Sequence, residues 1–152
     1  MSDAIKHECG IALLRLKKPL EFYLKKYGTA LYGLNKMYLL MEKQHNRGQD
    51  GAGLANIKFD VAPGTRYISR YRSVKNQPIK DIFSHINKRF ENLHTNHPEK
   101  LTDVDYLKSN EAFTGELFLG HLRYGTFGGN KVENCHPFLR QNNWMTRNLV
   151  VA

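Results

Sequence analysis

The chain has 152 residues, of which 41% are hydrophobic, 11% aromatic and 24% charged. That profile suits about one folded domain and excludes collagen-like, low-complexity and wholly disordered chains. The net charge is +9, but the basic residues are scattered, with no dense basic run and no nucleic-acid-binding module, so nucleic acid is not an expected partner.

No apolar run approaches the roughly 20 residues needed to cross a bilayer. Met1 to Glu8 are polar and mixed in charge, unlike a secretory signal. Cys9 and Cys135 are the only cysteines, too few for a disulfide framework or for a Cys-based zinc or iron–sulfur site within these residues. A reducing, cytoplasmic setting is the expectation. The sequence stops within the apolar run Leu149-Val150-Val151-Ala152, and the expectation is a fragment cut inside a strand.

Cys9 to Leu14 is predicted to form a buried strand, broken by Lys17-Lys18-Pro19. From Leu20 to about Gln44, apolar residues including Leu24, Tyr27, Leu31, Leu34, Tyr38 and Met41 recur at helical spacing, and Gly28 and Gly33 mark a break into two helices. His45 to Gly53 is polar and glycine-rich and reads as a tight loop. Leu54 to Phe59 and Thr65 to Ser73 read as strands around an Ala62-Pro63-Gly64 turn. Gln77 to about His94 is amphipathic, with Ile79, Ile82, Phe83, Ile86, Phe90 and Leu93 on one face. Pro98 to Asn110 is a short helix or loop. Gly115 to Thr126 alternates like a strand, and loops at 127–130 and up to Phe138 lead to a further strand from Arg147. The mixture predicts one α+β or layered α/β domain.

Cys9 has two readings from its surroundings. One is a small core residue; the other is a nucleophile. If residues 1–8 are removed, the α-amine of Cys9 titrates near 8, close to a thiol, and can take its proton directly or through one water. Arg47 is either a solvated arginine or part of a functional loop; Gly48-x-x-Gly51-x-Gly53 lacks the lysine and following helix of a phosphate loop. Arg123 ends a strand beside a glycine-rich loop, where a guanidinium can hold a carboxylate with two parallel hydrogen bonds. The alternative is an ion pair with Glu116 or Glu133. Thr126 is near enough in sequence to add a hydroxyl. His121, Cys135 and His136 fit no zinc spacing; His45 and His121 read as hydrogen-bonded structural residues.

Three segments taken together change the weighing. Glu8-Cys9-Gly10-Ile11, Gln44-His45-Asn46-Arg47-Gly48-Gln49-Asp50-Gly51-Ala52-Gly53 and Gly120-His121-Leu122-Arg123-Tyr124-Gly125-Thr126 resemble the three leading motifs of class II glutamine amidotransferases. Within that class they are most similar to the glutaminase domains of glutamine phosphoribosylpyrophosphate amidotransferases. Asn46 is an extra residue relative to the common pattern. Asn134-Cys135-His136-Pro137-Phe138 resembles the stretch beyond the glutamine loop less specifically.

The resemblance implies an N-terminal-nucleophile hydrolase, a four-layer αββα sandwich, here C-terminally incomplete. Residues 1–8 would be a propeptide, and 9–152 part of the amidotransferase domain. Cys9 would be the nucleophile. Arg123 would hold the glutamine α-carboxylate, with Thr126 a further glutamine contact. Arg47, Gly48 and Asp50 would support the nucleophile loop. The family's oxyanion motif falls beyond Ala152, so this chain is expected to be weakly active or inactive. The implied activity is release of ammonia from glutamine for phosphoribosylamine formation in purine biosynthesis, in the cytoplasm and in a homo-oligomer. It needs no cofactor or metal in these residues. Phosphoribosylpyrophosphate and Mg2+ would belong to a phosphoribosyltransferase domain outside them. Another ammonia acceptor, or a non-catalytic basic binding module, is the alternative.

Overall fold

A computed structural model describes residues 8–125, 129–141 and 147–150. Four strands form an antiparallel sheet: β1 (Gly10–Arg15), β2 (Gly51–Ile57), β3 (Ile68–Ser73) and β4 (Leu117–Arg123), in the order β1-β4-β2-β3. The helices are α1 (Leu20–Tyr27), α2 (Tyr32–Lys43), α3 (Pro78–Asn96) and α4 (Val104–Asn110). A separate hairpin pairs β5 (Phe138–Gln141) with β6 (Arg147–Val150). The expected α+β class is what the chain adopts.

The helix boundaries follow local chemistry. Gly28, at φ 75°, caps α1 in the left-handed conformation, which only glycine enters without a Cβ penalty. This places the expected break, whereas Gly33 lies buried inside α2. Pro78 opens α3, where its missing N–H removes no helical bond. Asp103 caps α4 by accepting from the Tyr106 amide at 2.9 Å.

Residues level across the strands share a face. One face carries the row Ala12, Gly120, Leu54 and Tyr71 and is covered by α2 and α3. Met37, Met41, Ile82, Phe83 and Ile86 are buried in the resulting core with Leu20, Leu34, Phe118 and Leu122. Burial of such side chains contributes about 1.5–3 kcal/mol each. The other face carries Ile11, His121, Gly53 and Arg72, then Leu13, Leu119, Ala55 and Arg70.

This second face corrects the reading of β1 as a buried strand. Its side chains alternate, with Ala12 buried but Ile11 and Leu13 53% and 65% exposed. Over β2 and β3 the same face is covered by residues 133–137. Arg72 donates to the Cys135 carbonyl at 2.8 Å, and Arg70 to the Pro137 carbonyl at 3.3 Å. A second correction concerns Gly51, Ala52 and Gly53, read as part of a loop. They begin β2, because two glycines admit covering backbone that larger residues would exclude.

Candidate active site

The site lies where one end of the sheet meets two turns. Gly10 pairs with Leu122, and Gly51 with Arg123. One residue further along the same register brings Cys9 level with Arg123. Cys9 is exposed, so it is not the small core residue its apolar setting allowed; Cys135 is the buried one, and burial pushes that thiol up. The Tyr124 amide donates to Cys9 Sγ at 3.4 Å. The thiol in turn lies 3.9 Å from the Tyr124 carbonyl, to which it can donate.

The Tyr124 amide is held by the segment after α2. His45–Arg47 forms a single 3-10 turn with Asn46 at its centre. Gly48 then packs on strand β4: a Cβ there would lie 2.5 Å from the Arg123 carbonyl carbon. The Asp50 amide donates to the Arg123 carbonyl at 3.1 Å, and Asp50 Oδ2 accepts from the Gly125 amide at 2.7 Å. Asp50 thus brackets Tyr124 from both sides. Arg47 sits with Gln44 against Gly10, where an added Cβ would meet Gln44 Oε1 at 2.9 Å and Arg47 Cβ at 3.3 Å.

Arg123 is buried, and its Nη1 donates to the Gly129 carbonyl at 2.9 Å. Glu116, one of its possible partners by sequence, instead pairs with Lys108 at 2.5 Å and accepts from the Phe59 amide. Two residues back on the same face, His121 packs against His136 with ring centroids 4.8 Å apart. His121 was read as a hydrogen-bonded residue; it is 4% exposed, and its Nδ1 has no hydrogen-bond partner. Burial, then His136 and Arg123, lower its pKa to about 4. His136 is lowered too, by burial and by Arg72 and Arg123. Both rings are therefore neutral at pH 7, leaving positive charge near Cys135 to Arg123 and Arg72. His45, by contrast, is exposed and bonds the Glu42 carbonyl at 2.8 Å.

Cys9, Arg47, Gly48, Asp50 and Arg123 therefore converge from three distant segments. Thr126 lies outside the described residues. The Tyr124 amide, Gln44 and the covering segment at Cys135 and His136 were not assigned roles by sequence. The antiparallel register of β1 and β4 is the signal that finds the first of them. Among the described residues, no group of three or more His, Cys, Asp or Glu could hold a metal ion, and no helix is long and apolar enough to cross a membrane. The arrangement offers an exposed thiol against the Tyr124 backbone, next in sequence to the buried Arg123, a guanidinium of the kind that can hold an anionic group.

No family model matches the chain, and no solved structure does. The chain is similar to the amidophosphoribosyltransferase of Methanocaldococcus jannaschii, at 32% identity over 102 residues. The match covers 67% of this chain and 15% of that protein, so it spans about one seventh of the relative's length. It is a partial likeness to one stretch of a transferase.

Proposed function

We propose that this chain carries the glutamine-hydrolysing half of an amidophosphoribosyltransferase. Its sheet and the β5–β6 hairpin would be parts of the two sheets of an N-terminal-nucleophile sandwich. The observation that carries the reading is the convergence of Cys9, the Tyr124 amide, Asp50 and Arg123 at one sheet end. The partial likeness to an amidophosphoribosyltransferase supports it.

In this mechanism cleavage after Glu8 frees the α-amine of Cys9. Arg123 binds the α-carboxylate of glutamine, with Thr126 as a further contact. The α-amine takes the thiol proton, and Cys9 Sγ attacks the side-chain amide carbon. The protonated amine returns its proton to the departing nitrogen, releasing ammonia and leaving a γ-glutamyl thioester. Water cleaves the thioester, giving glutamate and restoring the thiol. The ammonia would displace pyrophosphate from phosphoribosylpyrophosphate in a domain outside these residues, forming phosphoribosylamine for purine synthesis.

The test is labelling with a diazo-ketone analogue of glutamine, read by intact mass and N-terminal sequencing. The expected product is alkylated at Cys9 and begins there. Arg123→Ala should raise the analogue concentration needed by about 10- to 100-fold, the worth of a charge-assisted hydrogen-bond pair. A protein that reacts with residues 1–8 still attached overturns the amine as base.

A further inference from the structure

We propose that the α1–α2 hairpin is a second binding surface, distinct from the Cys9 site, and that it takes single-stranded nucleic acid. The rings of Tyr23, Tyr27 and Tyr32 form a stack. Centroids lie 4.3 Å apart for Tyr27 and Tyr32, 5.1 Å for Tyr23 and Tyr32 and 6.2 Å for Tyr23 and Tyr27, at interplanar angles of 17–22°. Phe22 meets Tyr23 edge-on at 5.3 Å. Tyr23 is buried beneath the cluster, while Phe22 and Tyr27 are 40% and 46% exposed. Tyr23 and the partly buried Tyr32 pack on the core, while Phe22 and Tyr27 present their rings to solvent.

Lysines cover the exposed faces. Lys26 Nζ lies 5.6 Å from the Phe22 centroid and 5.4 Å from that of Tyr27, and Lys36 Nζ lies 5.4 Å from Tyr32. Burial, then its hydrogen bond to Tyr27, pushes the Tyr32 phenol up. Residues 17–43 hold six lysines against two glutamates, and two of those lysines, Lys26 and Lys36, lie over the rings. The surface is therefore cationic and aromatic at once, which fixes the chemistry of its partner. The partner must be anionic along its length and must carry flat apolar faces. Exposed bases of a single strand stack on aromatic rings whatever their sequence, and lysines neutralise the phosphates between them. A duplex hides those faces. A lysine resting on a ring can swing to a phosphate and free the ring for a base.

The test is fluorescence anisotropy with a labelled single-stranded RNA of about 12 nucleotides, titrated between about 50 and 200 mM salt. With Lys26 and Lys36 engaged, log affinity should fall against log salt with a slope of about −1.4. Tyr27→Ala should weaken binding about 5- to 100-fold, and Tyr27→Phe should retain it. Lys26→Gln with Lys36→Gln should flatten the salt slope. If Tyr27→Ala fails to fold by circular dichroism, Phe22→Ala reads the same contact from the rim. Three results overturn the proposal: no binding at the lowest salt, equal affinity for duplex of the same length, or a ring deletion without effect. Binding to phosphatidylserine vesicles but not to RNA also overturns it, in favour of a lipid surface. None of these outcomes depends on the reactivity of Cys9.

Discussion

Asp50, expected from its motif to support the nucleophile loop, does so in the structure through the backbone around Tyr124. Its amide and carboxylate grip the backbone on both sides of Tyr124, and the Tyr124 amide is the group that faces Cys9 Sγ. Asp50→Ala removes the bond to Gly125 and frees that amide. Alkylation of Cys9 by iodoacetamide should then slow by about 10-fold, the worth of one hydrogen bond to a charged group, while the melting temperature changes little. An unchanged alkylation rate would mean the Tyr124 amide is held by β4 alone. At this scale the sequence was readable where chemistry resides in side chains: Cys9, Arg47 and Arg123 stand out as residue types in a pattern. It was opaque where chemistry resides in the backbone, because an amide is common to nearly every residue. The exposure of Cys9 and the unpartnered Nδ1 of His121 were equally hidden, since burial belongs to the fold and not to the residue.

Among the elements, helices were the more legible. Their apolar spacing and the Gly28 and Pro78 boundaries are local signals. The start of β2 was misread because Gly51 and Gly53 look like turn residues. They are small for a tertiary reason, to admit the segment before β5. A Cβ on Gly53 would lie 1.9 Å from the His136 carbonyl oxygen, a backbone atom that cannot swing aside. Gly53→Ala should therefore lift that segment from the sheet and cost about 1–3 kcal/mol, as overpacking does. Urea unfolding checks this, and a variant as stable as the parent would show that the cover yields freely.

For the whole molecule, pH acts through His121 and His136, where that cover meets the sheet. The pKa of His121 falls from 6.5 unfolded to about 4 folded, so between those values the unfolded chain binds the extra proton. Its contribution is intact above about pH 6.5 and is lost as pH falls toward 4. His136 shifts in the same direction, with Arg72 and Arg123 facing it. Stability should accordingly drop on acidification from pH 6.5 to 5. His121→Phe, which keeps a ring against His136 and removes an unpaired buried nitrogen, should drop less. Denaturant midpoints at the two pH values measure the difference, and parallel losses in both proteins would refute the assignment. The gathering of lysines on one hairpin is also a whole-molecule property. Lys26 and Lys36, apart in the sequence, come to lie over the stacked tyrosines where α1 meets α2.

The pairing of β1 with β4 has a consequence in time. Cys9 and Tyr124 are 115 residues apart in the chain, and contacts of such long sequence separation form late because the intervening chain must first be ordered. β2, β3 and α3 are contiguous and can assemble while the ribosome is still adding residues. The cysteine, made well before β4, waits for that strand. Its surroundings are completed only when the strand ending at Arg123 docks between β1 and β2, so the candidate site is assembled by one of the last steps of folding.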